Sequence, residues 1–143
     1  MKREKNKLQI RNSTAEFLIF TRQSGEDGIE VRVAEETVWL TQPLIAELFQ
    51  TTVPNISMHL RSIYETGELT AEATLKNFLT VRQEGARQVR RNLEYYNLDA
   101  IIAVGFRVNS ARAIQFRQWA TGVLRDYAIR GYVLDKERLK NGA

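Results

Sequence analysis

The chain has 143 residues, 43% of them hydrophobic and 27% charged, a balance ordinary for one soluble globular domain that excludes disorder throughout. Lysine and arginine number 21 against 17 acidic residues, and the net charge of +4 favours an anionic partner without requiring one. Cysteine is absent and His59 is the single histidine, so a disulfide framework, a thiolate metal site and a histidine cluster are all excluded. No apolar run reaches membrane-spanning length and the start lacks an apolar secretion segment, so a cytoplasmic, nucleoid-associated protein with no membrane partner is expected.

In chain order, residues 1–15 hold Lys2, Arg3, Lys5, Lys7 and Arg11 against Glu4, a flexible basic arm able to follow phosphates or enter a minor groove. A merely solvated terminus is the plainer alternative. Residues 17–21 are short, aromatic and β-branched, Ser24 to Gly28 is turn-like, and residues 29–33 alternate with period two, which together predict a β-hairpin. Residues 37–40 form another brief strand, with Trp39 in the core.

The next stretch predicts a helix-turn-helix. Thr41 suits an N-cap, Pro43 sits in the first turn, and Leu44, Ile45, Leu48 and Phe49 make one apolar face, with Ala46 small enough for a close crossing. Gln50, Thr51 and Thr52 break the pattern. Thr52 caps again, Pro54 occupies another first turn, and Ile56, Leu60 and Ile63 form the inner face of a second helix. Its outer face offers Thr52, Asn55, Ser57, Met58, Arg61 and Ser62, with Gln42 at the start of the first helix. Asn suits adenine, Arg guanine and Met a thymine methyl, so these residues are candidate DNA contacts in a major groove. An ordinary helical hairpin with a solvated face is the alternative on this stretch alone.

Gly67 is placed to close the second helix in a left-handed conformation. Residues 69–76 are ambiguous and include at most a short helical turn. Residues 77–82 and 88–96 predict a second hairpin, half-buried on the face of Val89, Leu93 and Tyr95, with Gly85 at its tip. A hairpin after a reading helix is the wing of a winged helix, and this tip carries Arg82, Arg87, Arg90 and Arg91 against Glu84. Phosphate contact is the role these arginines suit, while a solvated edge hairpin is the alternative.

Residues 97–105 predict a core helix capped by Asn97, favoured by Asp99 and ended by Gly105. Asn109 or Ser110 caps the longest helix, which runs to about Arg130 with Phe116, Trp119, Ala120, Val123, Leu124 and Tyr127 on its apolar side. Gly122 inside it predicts close approach of another backbone, such as the same helix in a second copy. Arg107, Arg112, Arg117, Arg125 and Arg130 line other faces; a solvated surface is the plain reading of them and the default for Arg125 and Arg130.

The fold class expected is α+β: a winged helix-turn-helix with an N-terminal hairpin and a C-terminal helical extension. Its parts are an arm (1–15), hairpin plus winged helix (16–96), a helical extension on the same core (97–134) and a tail (135–143). The run from Trp39 to Gln42, the Ile56-Ser57 pair with His59, the long stretch from Tyr96 to Ser110, and those from Arg112 to Ala120 and Gly131 to Asp135 resemble the RhuM family of bacterial virulence-associated proteins, over about residues 38–141. The stretch around Phe116 to Trp119 is more weakly similar to phage and baculovirus antirepressor-like domains. The resemblance implies a DNA-binding N-terminal region of mobile-element or pathogenicity-island origin, either a short member or the N-terminal portion of a longer one. Gln50 stands where that family's turn usually has glycine, which predicts a turn built another way. Val53 and Met58 stand where basic residues are usual, which shifts the electrostatic role toward the hairpin and the arm.

No glycine-rich phosphate loop, no nucleophile-base-acid ordering and no clustered carboxylates for metal occur, so neither an enzyme nor a cofactor, metal or small-molecule site is expected. Two readings follow. One is a sequence-specific double-stranded DNA-binding regulator, homodimeric through the helix at 109–130. The other is an antirepressor-like protein-interaction module on the same scaffold.

Overall fold

The computed structural model describes Thr14 and residues 16–21 and 29–123. The basic arm, the Ser24 to Gly28 turn, the helix beyond residue 123 and the 135–143 tail lie outside the described residues.

The residues expected as the first strand are helical. Residues 16–21 form α1, with Phe17, Phe20 and Thr21 buried and Ile19 exposed. That is the 3–4 spacing of a helix face rather than the period of two, so aromatic and β-branched composition is overridden by packing. The first hairpin is correspondingly shifted: β1 (Arg32–Ala34) pairs with β2 (Thr37–Leu40) in the register Arg32↔Trp39. Its turn is Glu35-Glu36, with φ of 52° and 65°. Two successive positive φ values mark a type I′ turn, which matches the right-handed twist of the strands even without Asn or Gly. Lys76 forms an ion pair with Glu35, and Trp39 Nε1 donates to Ala34 O at 2.9 Å.

From β2 the chain enters α2 (Gln42–Leu48), then α3 (Val53–Glu65), the single turn α4 (Ala71–Thr74), β3 (Leu75–Glu84), β4 (Arg87–Asn97), α5 (Leu98–Gly105) and α6, helical from 111 to 123. The architecture is α+β. The antiparallel sheet has the order β1-β2-β4-β3, so the strand before the helix pair lies against the last strand of the second hairpin, through Trp39↔Asn97 and Leu40↔Tyr96. Sheet curling brings β1 over β3 and β4. The Arg32 guanidinium lies 4.3 Å from the Phe78 ring centre, and Trp39 and Phe78 meet edge to face at 5.4 Å.

One buried cluster draws on α1, β2, α2, α3, β4, α5 and α6. Asn97 Oδ1 accepts from the Ala100 N–H and caps α5, and Ser110 Oγ accepts from the Ala113 N–H and caps α6. Gly105 ends α5, as expected, and no left-handed residue follows, since the C-cap Phe106 has φ −77°. A Cβ there would fall 2.5 Å from Phe116 Cδ1 and 2.9 Å from Phe49 Cζ, so glycine is required by close packing. Gly122 is the reverse: nothing lies within 4 Å of its Cβ position, and no described backbone approaches it.

These two glycines should therefore respond oppositely to alanine. Gly105→Ala is expected to destabilise by about 1–3 kcal/mol through overpacking, whereas Gly122→Ala should be neutral or stabilising by up to about 1 kcal/mol. Urea unfolding followed by circular dichroism checks both.

Candidate nucleic-acid interface

The helix pair is fixed by its caps. Thr41 Oγ1 accepts from the Leu44 N–H at 3.4 Å and Thr52 Oγ1 from the Asn55 N–H at 3.3 Å, with Pro43 and Pro54 each in the first turn, as the sequence predicts. Between the helices, the Gln50 N–H donates to Glu47 O and the Thr51 N–H to Ala46 O, the paired bonds of a Schellman motif. Gln50 takes the left-handed position with φ 53°. The turn is thus built as glycine would build it, not another way, and Gln50 carries the strain. Gly67 closes α3 by the same pair of bonds, from Gly67 to Tyr64 and from Glu68 to Ile63, at φ 74°.

On α3, Ile56, Leu60 and Ile63 are buried, as expected. The helical period then makes Pro54, Met58, Arg61 and Glu65 the outward ridge, all exposed, with Ser57, Asn55 and Ser62 on its flanks. Of the predicted contacts, Met58 and Arg61 are presented freely, and no hydrogen bond to a described residue engages the Ser57 or Arg61 side chain. Thr52 is occupied as the cap. The Asn55 amide donates to Thr51 Oγ1 at 2.8 Å, so readout of adenine through that amide requires its release. Ser62 is turned inward, accepting from Arg107 Nη1 at 2.7 Å, while Arg107 Nη2 reaches Glu68 at 2.8 Å. Gln42 donates to the Tyr96 hydroxyl at 2.9 Å and so braces the hairpin root. Ser62 and Gln42 position the helices rather than face outward. Glu65, one turn beyond Arg61, sets an acidic side chain on the same ridge at i, i+4 spacing.

The second hairpin is longer than predicted and regular, from Leu75↔Tyr96 to Glu84↔Arg87. Gly85, at φ 62°, opens a two-residue turn with Ala86. Strand parity divides its arginines. Arg82, Arg87 and Arg91 share a face with Glu84, Thr80 and Val89, and Arg90 lies on the opposite one. Arg91 is 3.3 Å from Glu84, an exposed pair of small energetic weight. Arg82, Arg87 and Arg90 make no ion pair with a described residue. No hydrogen bond or ion pair among the described residues joins this tip to α3.

Two tyrosines pack where the root meets the helices. Tyr64 shares a hydrogen bond with Thr74 at 2.9 Å, and burial raises both its pKa and that of Tyr96. Partial burial, and secondarily the Arg107 guanidinium, hold the His59 imidazole below its ordinary value. Among the described residues no group of three or more His, Cys, Asp or Glu is placed to hold a metal, and no helix is long and apolar enough to cross a membrane.

Fold and surface together define a basic α+β protein with a helix pair beside an arginine-tipped hairpin. Residues 73–143, about half of the chain, match the family described as Virulence protein RhuM family, and the chain belongs to that family. The match takes in the hairpin, α5 and α6 and begins after the helix pair, a shorter reach than the residue resemblance suggested. No curated protein and no solved structure matches the chain.

Gln50→Gly should raise stability by up to about 1 kcal/mol, relief of the left-handed strain outweighing glycine's entropy, and Gln50→Val should lower it by about 1–2 kcal/mol. Denaturant midpoints of the three proteins test this. A depressed His59 value means that the unfolded chain binds the proton more readily. Its stabilising contribution is complete above the unfolded value near 6.5 and is lost as pH falls through that value toward the lower folded one. His59→Gln should flatten that part of the stability profile, measured as thermal midpoint against pH.

Proposed function

We propose that this protein is a sequence-specific double-stranded DNA-binding regulator built as a winged helix-turn-helix. α3 enters the major groove and the β3–β4 hairpin acts as a wing on phosphates. The observation that carries the reading is chain order joined to sheet order. A strand, two helices and a hairpin follow one another, and the hairpin's second strand lies between its first and the strand before the helices. That connectivity is what a winged helix requires. On it, the second helix presents Met58 and Arg61 outward, and the hairpin offers Arg82, Arg87 and Arg90 without an acidic partner among the described residues.

The roles differ by position. Arg61 and Met58 suit base edges, and Ser57 can serve base or phosphate. The hairpin arginines add affinity without sequence information, and each phosphate contact adds to salt dependence. Glu65 beside Arg61 repels phosphate and so restricts the approach to geometries in which Arg61 leads. The same surface also favours a second reading, capture of another regulator by an antirepressor-like module, because Met58, Leu79 and Val81 are more than half exposed. Phosphate has no use for those side chains.

The two readings separate on duplex DNA at varied salt. Arg61→Ala should cost about 1–3 kcal/mol on the site selected from random duplexes and little on unrelated DNA. Arg87→Ala and Arg90→Ala should weaken all duplexes alike, each reducing the salt slope by about one contact. Equal loss on selected and random DNA from Arg61→Ala would refute its part in base readout. Failure to bind any duplex at low salt would refute the function.

A further inference from the structure

We propose that two copies of this chain pair through the outer edge of β3, antiparallel and centred on Thr80, so that their sheets become one. β3 is the last strand in the sheet order and spans ten residues without proline or an interruption in its register. No backbone hydrogen bond from a described residue reaches its outer side. A long edge of this kind is a template for another strand.

The hairpin fixes which backbone groups are free. A two-residue turn makes Glu84 and Arg87 a hydrogen-bonded pair, and the antiparallel alternation then turns the even-numbered residues of β3 inward to β4. Asn77, Leu79, Val81 and Gln83 direct their N–H and C=O groups outward. Leu79 and Val81 are also 54% and 53% exposed, on the face opposite Phe78.

The occupant follows from self-complementarity. A two-fold axis relating antiparallel edge strands stands perpendicular to the sheet and keeps each face on its own side. Only registers that pair residues of like parity are therefore allowed. Centring on Thr80 sets Lys76 against the partner's Glu84, Phe78 against the partner's Arg82, and Leu79 against the partner's Val81, with Thr80 facing its own copy. Opposite charges, a cation on an aromatic ring, an apolar pair and a hydroxyl pair are all favoured cross-strand neighbours, with Glu84 and Arg82 of the second copy joining the Glu35 and Arg32 that Lys76 and Phe78 already meet within the chain. Shifting the centre to residue 79 sets Lys76 against Arg82, two like charges. Shifting it to residue 81 sets Glu84 against the Phe78 ring and carries Lys76 past the end of the partner's β3. An unrelated strand would not be expected to satisfy all four pairings, whereas a second copy does so by symmetry.

Thr80 faces its copy as a non-hydrogen-bonded pair, with Cα atoms about 4.5 Å apart, within disulfide range. The chain has no cysteine, so the register can be read directly. Under mild oxidation and without DNA, Thr80→Cys should form a covalent dimer about tenfold faster or more than Lys76→Cys. A mixture of Lys76→Cys and Glu84→Cys should cross-link between the two variants. The unmodified chain should sediment as a dimer, and Leu79→Lys, at an exposed position, should shift it to monomer. The proposal is overturned if the unmodified chain is monomeric, or if Thr80→Cys oxidises no faster than Lys76→Cys. A dimer without the Thr80 cross-link would place the contact elsewhere, the 109–130 helix included, and equally overturns it. Neither failure touches the DNA-binding reading, which is measured separately on duplexes.

Discussion

The Phe116 ring holds the helix pair in place. It meets Phe49 at 4.9 Å, Phe20 at 5.6 Å and Phe17 at 6.4 Å, and it fills the space that Gly105 leaves open. Phe49 is the C-cap of α2, one residue before the strained Gln50. The cap of α6 acts at the same point, since Ser110 Oγ donates to Phe49 O at 2.7 Å. The turn between the two helices is thus locked from behind by a ring and a hydroxyl of the C-terminal helix. Such over-determination is what lets a non-glycine residue persist at positive φ. It also explains why α5 and α6 belong to the same core as the helix pair: without them the angle between α2 and α3 would rest on short helices alone.

Part of the positive charge on the described residues is committed within the fold. Arg112 is buried, stacked 3.9 Å from the Phe20 ring centre and donating to Phe20 O at 3.0 Å. Arg117 donates to the carbonyls of Gly105 and Val108, closing the end of α5. Arg107 joins Ser62 to Glu68, and Arg32 lies over aromatic rings. Their long side chains serve as multi-donor braces for backbone carbonyls and rings, a use for which guanidinium is better suited than ammonium. Among the described residues, the cations without an acidic or internal partner are Arg61 on α3 and Arg82, Arg87 and Arg90 on the hairpin, and it is this distribution that favours the proposed role.

What the sequence disclosed depended on whether the signal was local. Caps, proline positions and the inner face of α3 were legible because each is decided within four residues. The second hairpin was legible too, because its glycine and period-two pattern lie in one stretch. α1 was not, since aromatic and β-branched residues with little flanking context read equally as strand. Only burial against Phe116 and Trp119 chooses the helix. The Glu35-Glu36 turn carried no turn chemistry to notice. Gly105 is legible as a helix end, but its close packing is not, because one of the rings it accommodates, Phe49, is far away in sequence. The partners of Ser62 and Gln42 are hidden from the sequence for the same cause: Arg107 and Tyr96 lie 45 and 54 residues away.

The hairpin has to be understood through two alternations at once. Side chains alternate between faces, and backbone groups alternate between edges, with the same period of two. On β3 the residues that expose apolar side chains, Leu79 and Val81, are therefore the same ones that expose unpaired backbone groups. A duplex would contact cationic tips and leave this combination in water, whereas a strand from a second copy would cover both. The tip and the root of the hairpin thus answer to different physical demands. Arg82 is where they meet, being the only arginine on the edge strand. Once stacked on a partner's Phe78 it would be withdrawn from phosphate, and the wing of a paired protein would grip through Arg87 and Arg90 of β4, on opposite faces and clear of the joined edges.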